Sequence, residues 1–469
     1  MTLISDLTDV LGAAHVITGA GLQSYTIDVT QHYRSAPVAV VRPADRGEVV
    51  KVMQIAQRHG VAVLPASGRT GLTGGLMTEG GLIVSVERLN KIREIKPAAR
   101  VAIVEAGVIL DSLHAAAEAE GLYFPLWFGA RGSAMIGGVL STNAGGSNVV
   151  RYGSTRALCL GLEVVLADGR VLNLMSQLHK DNSGYDLKQM FIGAEGTLGV
   201  ITAAVMKLVP RPRTYATATL AVANLPDALE LLHKLQAASG GAVEAFEYMP
   251  KTYMQQMARA RPEVRQPFTP PHEVTILVEL GSIRPDDANL ADDGSVPLTS
   301  LLENTLAEMM EAGQVLDAEI AQNEAQRAEM WRRRELASEV MTSRQPTIDT
   351  DICLPTDLVA PFLDAIHARL PQIDAAAETI SVAHLGDGNV HFTVYPSDDS
   401  AAHSDRVIEE VEDVVQALGG SFSAEHGVGL SKLASMKRRK DPVALDVMRA
   451  IKLALDPEGR MNPGKVIPA

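Results

Sequence analysis

Residues 67–75 read SGRTGLTGG and follow directly on the apolar run VAVLP at 61–65. Upstream, PVAVVRP (37–43) reads as a short strand and ADRGEVVKVMQIAQRHG (44–60) as an amphipathic helix stopped by Gly60. The glycine-rich segment therefore closes a strand–helix–strand unit. Glycine lets backbone N–H groups approach a phosphate closely, with no Cβ in the way. No Gly-Lys-Ser/Thr follows, so this is not a nucleotide-triphosphate loop, and no G-x-G-x-x-G sits after the first strand. A lone loop of this kind is most often a simple turn.

It is not alone. GARGSAMIGGVLSTNAGG (129–146) is a second stretch almost free of bulky side chains, and GAEGTLG (193–199) is a third. Together they can line an elongated dinucleotide. Between them GLIVSVERLN and ARVAIVEAGV read as strands, DSLHAAAEAEG as a helix, and RALCLGLEVVLADGRVLNL as a hairpin turning at Ala167-Asp168-Gly169. Pro210 and Pro212 mark a domain boundary. Beyond it, strands such as VTILVEL alternate with helices such as LPDALELLHKLQAAS, which predicts an antiparallel sheet with helices on one face. SIRPDDANLADDGSVP (282–297) reads as an exposed loop.

At 469 residues two large domains are expected, and 21% charged with 46% hydrophobic residues is ordinary for a well-packed α/β or α+β protein. A net charge of −14 argues against nucleic-acid partners but not against a small anionic substrate. Cys159 and Cys353 fit no metal or redox spacing and read as structural thiols in a cytoplasmic protein. No apolar run reaches the ~18 residues of a membrane span, and a peripheral membrane contact stays open.

PASGRTGLTGG, GARGSAMIGGVLSTNAGG, KDNSGYDLKQMFIGAEGTLG and the closing NPGK resemble the FAD-binding segments of the vanillyl-alcohol oxidase / p-cresol methylhydroxylase superfamily. Within it the chain is similar to the D-lactate, glycolate and D-2-hydroxyglutarate dehydrogenases. The resemblance implies a two-part, PCMH-type FAD domain (1–213), a substrate or cap domain (214–422) and a C-terminal return (423–469). By position, Ser67, Gly68, Arg69, Thr70, Gly71, Gly74 and Gly75 would hold the pyrophosphate. Ser133, Gly137, Thr142, Asn143 and Gly146 would pass along the flavin. Glu195, Gly196, Gly199 and Ile201 would lie on the adenosine side, and Asn462 near the ring. Arg69 stands where some members tether FAD through histidine, so non-covalent FAD is expected.

AHLGDGNVHF (383–392) reads as a hairpin about Asp387-Gly388. That pairing puts His384 opposite His391 with Cβ atoms about 5 Å apart, near enough to share a metal. SAEHGVG (423–429) offers a third ligand; a metal-free histidine pair is the alternative. The resemblance implies His384, His391 and Glu425 as ligands of a divalent metal, with Zn, Mn and Fe all compatible. His426 is the expected base, taking the hydroxyl proton as hydride moves to flavin N5; a fourth metal ligand is its alternative role.

In MWRRRELASEV (330–340), Arg334 and Ser338 sit one helical turn apart. The resemblance implies that they clamp a substrate carboxylate, while Arg332 and Arg333 read as a solvated face. Asp349 and Thr393 depart from the pattern, standing where the family has lysine and asparagine. An anionic Asp349 would repel a distal carboxylate, so a smaller, D-lactate-like acid is expected unless Arg344 compensates. The expected reaction is oxidation of a D-2-hydroxy acid to the 2-oxo acid, with electrons passing to a quinone, cytochrome or electron-transfer flavoprotein. The rivals are an O2-using oxidase and a non-catalytic flavin subunit of an electron-transfer complex. Oligomeric state is left open, a homodimer included.

Overall fold

Asp45 caps the helix Arg46–Arg58 in the computed structural model, which describes residues 2–469. Its carboxylate accepts from Glu48 N at 2.9 Å, and Glu48 reaches back to Ala44 N at 2.6 Å. This reciprocal arrangement satisfies two otherwise orphaned donors. Val49, Val52, Met53, Ile55 and Ala56 form the buried stripe.

The chain divides into two units, each with its own sheets. The first comprises Met1–Gly145, Ser154–Pro210 and Glu425–Ala469. Its strands are β1 (Val16–Ile17), β2 (Ala39–Val41), β3 (Val63–Ala66), β4 (Leu82–Ser85), β5 (Ile92–Lys96), β6 (Val101–Glu105), β7 (Leu122–Tyr123), β8 (Cys159–Val165), β9 (Val171–Leu174), β10 (Val200–Lys207) and β11 (Val209–Pro210). One sheet has the order β1-β2-β4-β3, with β4 parallel to both β2 and β3. The helix Arg46–Arg58 is the crossover that parallel strands require. A second, wholly antiparallel sheet has the order β5-β6-β10-β8-β9, and β7 pairs with β11. The glycine-rich stretch 129–146 is not all loop. It carries the helix Ile136–Thr142, with Ile136, Val139 and Leu140 buried at helical spacing.

The second unit comprises Gly146–Gly153 and Arg211–Ala424. Strands β12 (Thr214–Val222), β13 (Val243–Pro250), β14 (Val274–Ser282), β15 (Val315–Ile320), β16 (Ile348–Cys353), β17 (Glu378–His384) and β18 (Asn389–Tyr395) form one antiparallel sheet in the order β15-β12-β14-β13-β17-β18-β16. The helices Leu225–Ala238, Pro297–Glu311, Val359–Arg369 and Ala401–Ala417 cover one face. The expectation of one helical face is incomplete, because a smaller layer (Lys251–Ala260, Glu324–Glu335 and Ala337–Met341) covers part of the other. The central strands explain why. On β14, Ile276 and Val278 point to the large layer and Leu277 to the small one, so both faces need cover.

The octapeptide Gly146–Gly153 is anchored by charge. Arg151 Nη1 donates to Glu244 Oε1 at 2.8 Å and to Gly281 O at 2.6 Å, and Tyr152 OH donates to the same carboxylate oxygen at 2.8 Å. Glu244 is buried, so each of these bonds offsets a desolvation cost.

Candidate active site

In the first unit the glycine loops meet because they lack side chains. A Cβ on Gly68 would lie 2.2 Å from Ser133 O, and one on Gly137 would lie 2.8 Å from Ala106 Cβ. The first and second loops are thus in contact through Gly68, Ser133 and Gly137. Arg69 and Gly74 take positive φ (56° and 69°), and a Cβ on Gly71 would meet nothing within 4 Å. A cavity of about 230 Å³ opens beside this loop, lined in part by Ser24, Tyr25, Asp28, Gly68, Arg69 and Gly71. The Arg69 guanidinium sits 4.2 Å over the Tyr25 ring and donates from Nη1 to Ser24 O at 2.6 Å. Ser24 and Tyr25 lie in an irregular segment before the first apolar run, where no motif marks them.

The third loop joins the same constellation. Asn462 Nδ2 donates to Gly75 O at 3.2 Å and to Glu195 O at 2.8 Å, while its Oδ1 is buried with no partner among the described residues. Gly196 packs on Pro65, and a Cβ on Gly199 would clash with Val164 Cγ1 at 2.6 Å. Ile201 is a buried core residue of β10. Asn143 ends the helix Ile136–Thr142 in the left-handed region, and its Oδ1 accepts from Arg156 N at 2.8 Å. Thr142 bonds back to Gly138 O at 3.2 Å. Gly146 belongs to the second unit. The Glu195 carboxylate turns to the C-terminal segment, accepting from Val428 N at 2.7 Å and Gly429 N at 2.8 Å. Burial pushes its carboxyl above the usual range, with the two N–H bonds opposing. In that same segment Glu425 and His426 are neighbours, Oε1 to Nε2 being 3.8 Å.

In the second unit a row of polar side chains crosses four adjacent strands. The hairpin register corrects the sequence reading: His384 pairs with Asn389 and His391 with Val382, leaving 385–388 as the loop. Gly388, at φ 82°, explains the longer loop, since it lies so close to Leu354 that a Cβ would be 2.0 Å from Leu354 O. A shift of two residues preserves parity. Both imidazoles therefore share one sheet face, with ring centroids 5.6 Å apart. Glu247 on β13 lies opposite His384, and Asp351 on β16 lies opposite His391.

Glu247 is the fully buried centre of this row. It accepts from His384 Nδ1 at 2.8 Å and from Arg334 Nε at 2.7 Å. Burial alone would raise its pKa; His384 and Arg334 reverse the sign and hold it below the usual carboxylate range. Arg334 Nη2 remains buried with no partner among the described residues. Asp351 Oδ1 is 3.7 Å from His391 Nδ1, and its carboxylate accepts from Asn389 Nδ2 at 3.0 Å and Ala424 N at 3.2 Å. Glu425 follows Ala424 directly in the chain and belongs to the first unit.

Residues 211–466 match the family model for FAD linked oxidases, C-terminal domain, and residues 37–175 match an FAD binding domain. The chain belongs to the FAD-linked oxidases. This FAD-linked oxidase is 34% identical to the D-2-hydroxyglutarate dehydrogenase of Stutzerimonas stutzeri (strain A1501), over 100% of its own length and 99% of that relative. It is 34% identical to the mitochondrial D-2-hydroxyglutarate dehydrogenase of Rattus norvegicus, over 96% and 81%. Substrate-bound p-cresol methylhydroxylase shares the fold at TM-score 0.74 (15% identity, 99% of this chain and 96% of that). So does 4-ethylphenol oxidase from Gulosibacter chungangensis, at 0.71 (18%, 99% and 96%). The α+β architecture read from the sequence is the one found. The protein is an FAD-dependent oxidoreductase, and no helix among the described residues is long and apolar enough to cross a membrane.

Several side chains of this FAD-linked oxidase correct the sequence reading. Arg333, expected in solvent, is wholly buried and paired with Glu319 at 2.8 Å, because the helix Glu324–Glu335 lies flat on the sheet. The helix turns at Leu336, so Ser338 begins a new short helix and is exposed rather than one continuous turn from Arg334. Arg344 is committed to Glu378 at 2.7 and 3.0 Å and stacks 4.4 Å over Tyr395. Asp349 and Thr393, the two departures from the family pattern, face each other across β16 and β18. Thr393 Oγ1 donates to Asp349 Oδ1 at 2.5 Å. Glu247 and Asp351 escaped the sequence reading. Strand parity could have flagged Asp351 opposite His391, but nothing local marks Glu247.

Proposed function

We propose that this FAD-linked oxidase is a dehydrogenase that oxidises a D-2-hydroxy acid to the 2-oxo acid. The observation that carries the reading is Arg334. It holds a buried, unpartnered Nη2 beside the row Glu247–His384–His391–Asp351, which suits capture of a carboxylate next to the carbon to be oxidised.

The donor set fits a divalent metal. Glu247 accepts from His384 Nδ1, which fixes the tautomer and directs the Nε2 lone pair outward as a ligand. His384, His391 and Glu425 would hold the ion, which lowers the pKa of a bound hydroxyl when present. The glycine loops fit FAD, which supplies the hydride acceptor. Arg334 binds and orients the carboxylate through Nη2. His426 takes the hydroxyl proton on its imidazole nitrogen as the α-hydrogen leaves. The electron acceptor is then a quinone, cytochrome or electron-transfer flavoprotein.

Asp349 sets the side chain of the acid. A distal substrate carboxylate about 6 Å away would be opposed by roughly 3 kcal/mol at an effective dielectric of ~20, which is about two orders of magnitude in affinity. Arg344 does not offset this, being spent on Glu378. A short D-lactate-like acid is therefore favoured. The names of the relatives favour a second reading, D-2-hydroxyglutarate. Anaerobic titration of the yellow holoprotein with D-lactate, L-lactate and D-2-hydroxyglutarate separates the two. Bleaching by D-lactate alone at low concentration is expected. Tighter reduction by D-2-hydroxyglutarate would sink the short-acid assignment, and no bleaching by any of the acids would sink the reaction class.

A further inference from the structure

We propose that Glu195 is a positioning residue for His426: it clamps the segment that carries the base onto the cofactor-binding loops. The inference rests on His426 acting as the base.

The geometry is specific to a carboxylate. Oε1 accepts from Val428 N at 2.7 Å and Oε2 from Gly429 N at 2.8 Å, so each oxygen serves one of two consecutive amides. A carboxylate is acceptor-only and satisfies both donors; an amide would turn an NH₂ against one of them. The approach requires glycine, since a Cβ on Gly427 would be 2.7 Å from Glu195 Oε1 and one on Gly429 2.3 Å from Thr73 O.

Glu195 is itself held in a costly conformation. Its φ is 50°, and Asn462, which donates to its carbonyl, has φ 39°. Left-handed backbone is costly for a non-glycine residue and persists only where surrounding bonds over-determine it. Those bonds are present. Glu195 N donates to Ser141 O at 2.8 Å, and Asn462 N donates to Val63 O at 2.8 Å. The base segment is tied again at Thr73 O, which accepts from Leu430 N at 2.8 Å and Ser431 N at 3.2 Å. Thr73 and Gly75 belong to the first glycine loop and Glu195 to the third. The loops that seat the cofactor therefore also set the height and direction of the segment bearing His426.

The test compares wild type, Glu195→Gln and Glu195→Asp as holoproteins. FAD dissociation constant, substrate dissociation constant and the rate of flavin reduction are measured separately. Glu195→Gln is expected to slow flavin reduction about thirtyfold, less than the ~10²–10⁴ that complete loss of a positioned base would cost. FAD and substrate affinities should change less than about threefold, and Glu195→Asp should recover part of the rate. An unchanged reduction rate, or a loss that tracks FAD loss, overturns the proposal. Should Glu195→Gln fail to fold, amide exchange of wild type decides. Val428 and Gly429 should exchange far more slowly than Asp292 and Asp293 in an exposed turn, and equal exchange removes the clamp. That measurement needs no substrate, so it reads Glu195 even if no 2-hydroxy acid reduces the flavin.

Discussion

The two units build their sites from opposite materials. The first uses backbone: glycines brought within van der Waals contact, left-handed residues at Arg69, Asn143, Glu195 and Asn462, and main-chain amides as donors. The second uses side chains on regular strands. Glu247, His384, His391 and Asp351 stand on four adjacent strands because pairing and parity put them on one face. Shape complementarity to a long cofactor asks for the first solution, and concentrated charge asks for the second. The first should therefore be sensitive to added bulk and the second to lost charge.

The largest effect is expected in the second unit. Arg334→Met removes the free donor and leaves buried Glu247 with one partner fewer, a change typically worth 3–5 kcal/mol. kcat/KM should fall about a thousandfold while FAD content stays at wild-type level. Loss of FAD instead would erase the contrast between the units. Next is Glu247→Gln, which loosens the orientation of His384. Metal affinity should drop about 10–100-fold, read by competition with a chelator. In the first unit, Gly68→Ala inserts a methyl group 2.2 Å from Ser133 O. Overpacking of this kind costs roughly 1–3 kcal/mol, so FAD affinity should weaken about tenfold or more with metal content unchanged.

The smallest effect is on acid stability. Asp374 accepts from Ser397 N, Ser397 Oγ and His403 Nε2, which outweigh burial and hold its pKa at about 2 against an ordinary 3.8. Its folded pKa is depressed, so the stabilisation is present above pH 4 and is lost as the pH falls toward 2. Asp374→Asn should flatten the fall in Tm between those pH values, and an unchanged acid slope would show that other carboxylates set it.

Much of the fold was legible because its signals are local. Asp45, Gly60 and the apolar stripe between them define a helix, and Asp168-Gly169 defines a hairpin, without outside help. The shared face of His384 and His391 was legible through parity even though the register was off by two, because only the parity decides the face. What escaped depends on distant partners. Arg333 reads as a solvated charge until Glu319 is known to lie beneath it. Glu247 reads as one more strand residue until β13 is seen to pair with β17. Glu195 sits in a glycine motif that suggests a ligand, and only the return of residues 425–469 gives its carboxylate the two amides it binds.

The octapeptide Gly146–Gly153 makes the two halves inseparable as genes. A fragment covering 211–424 contains every strand of the seven-stranded sheet, yet it lacks Arg151 and Tyr152, so Glu244 would lose both of these partners. Breaking such a pair typically costs 3–5 kcal/mol, a large share of the stability of any domain. A contiguous 211–424 cassette is therefore expected to be less stable than the same unit supplied with residues 146–153. Any recombination that exchanges it must carry eight residues from inside the other half along with it.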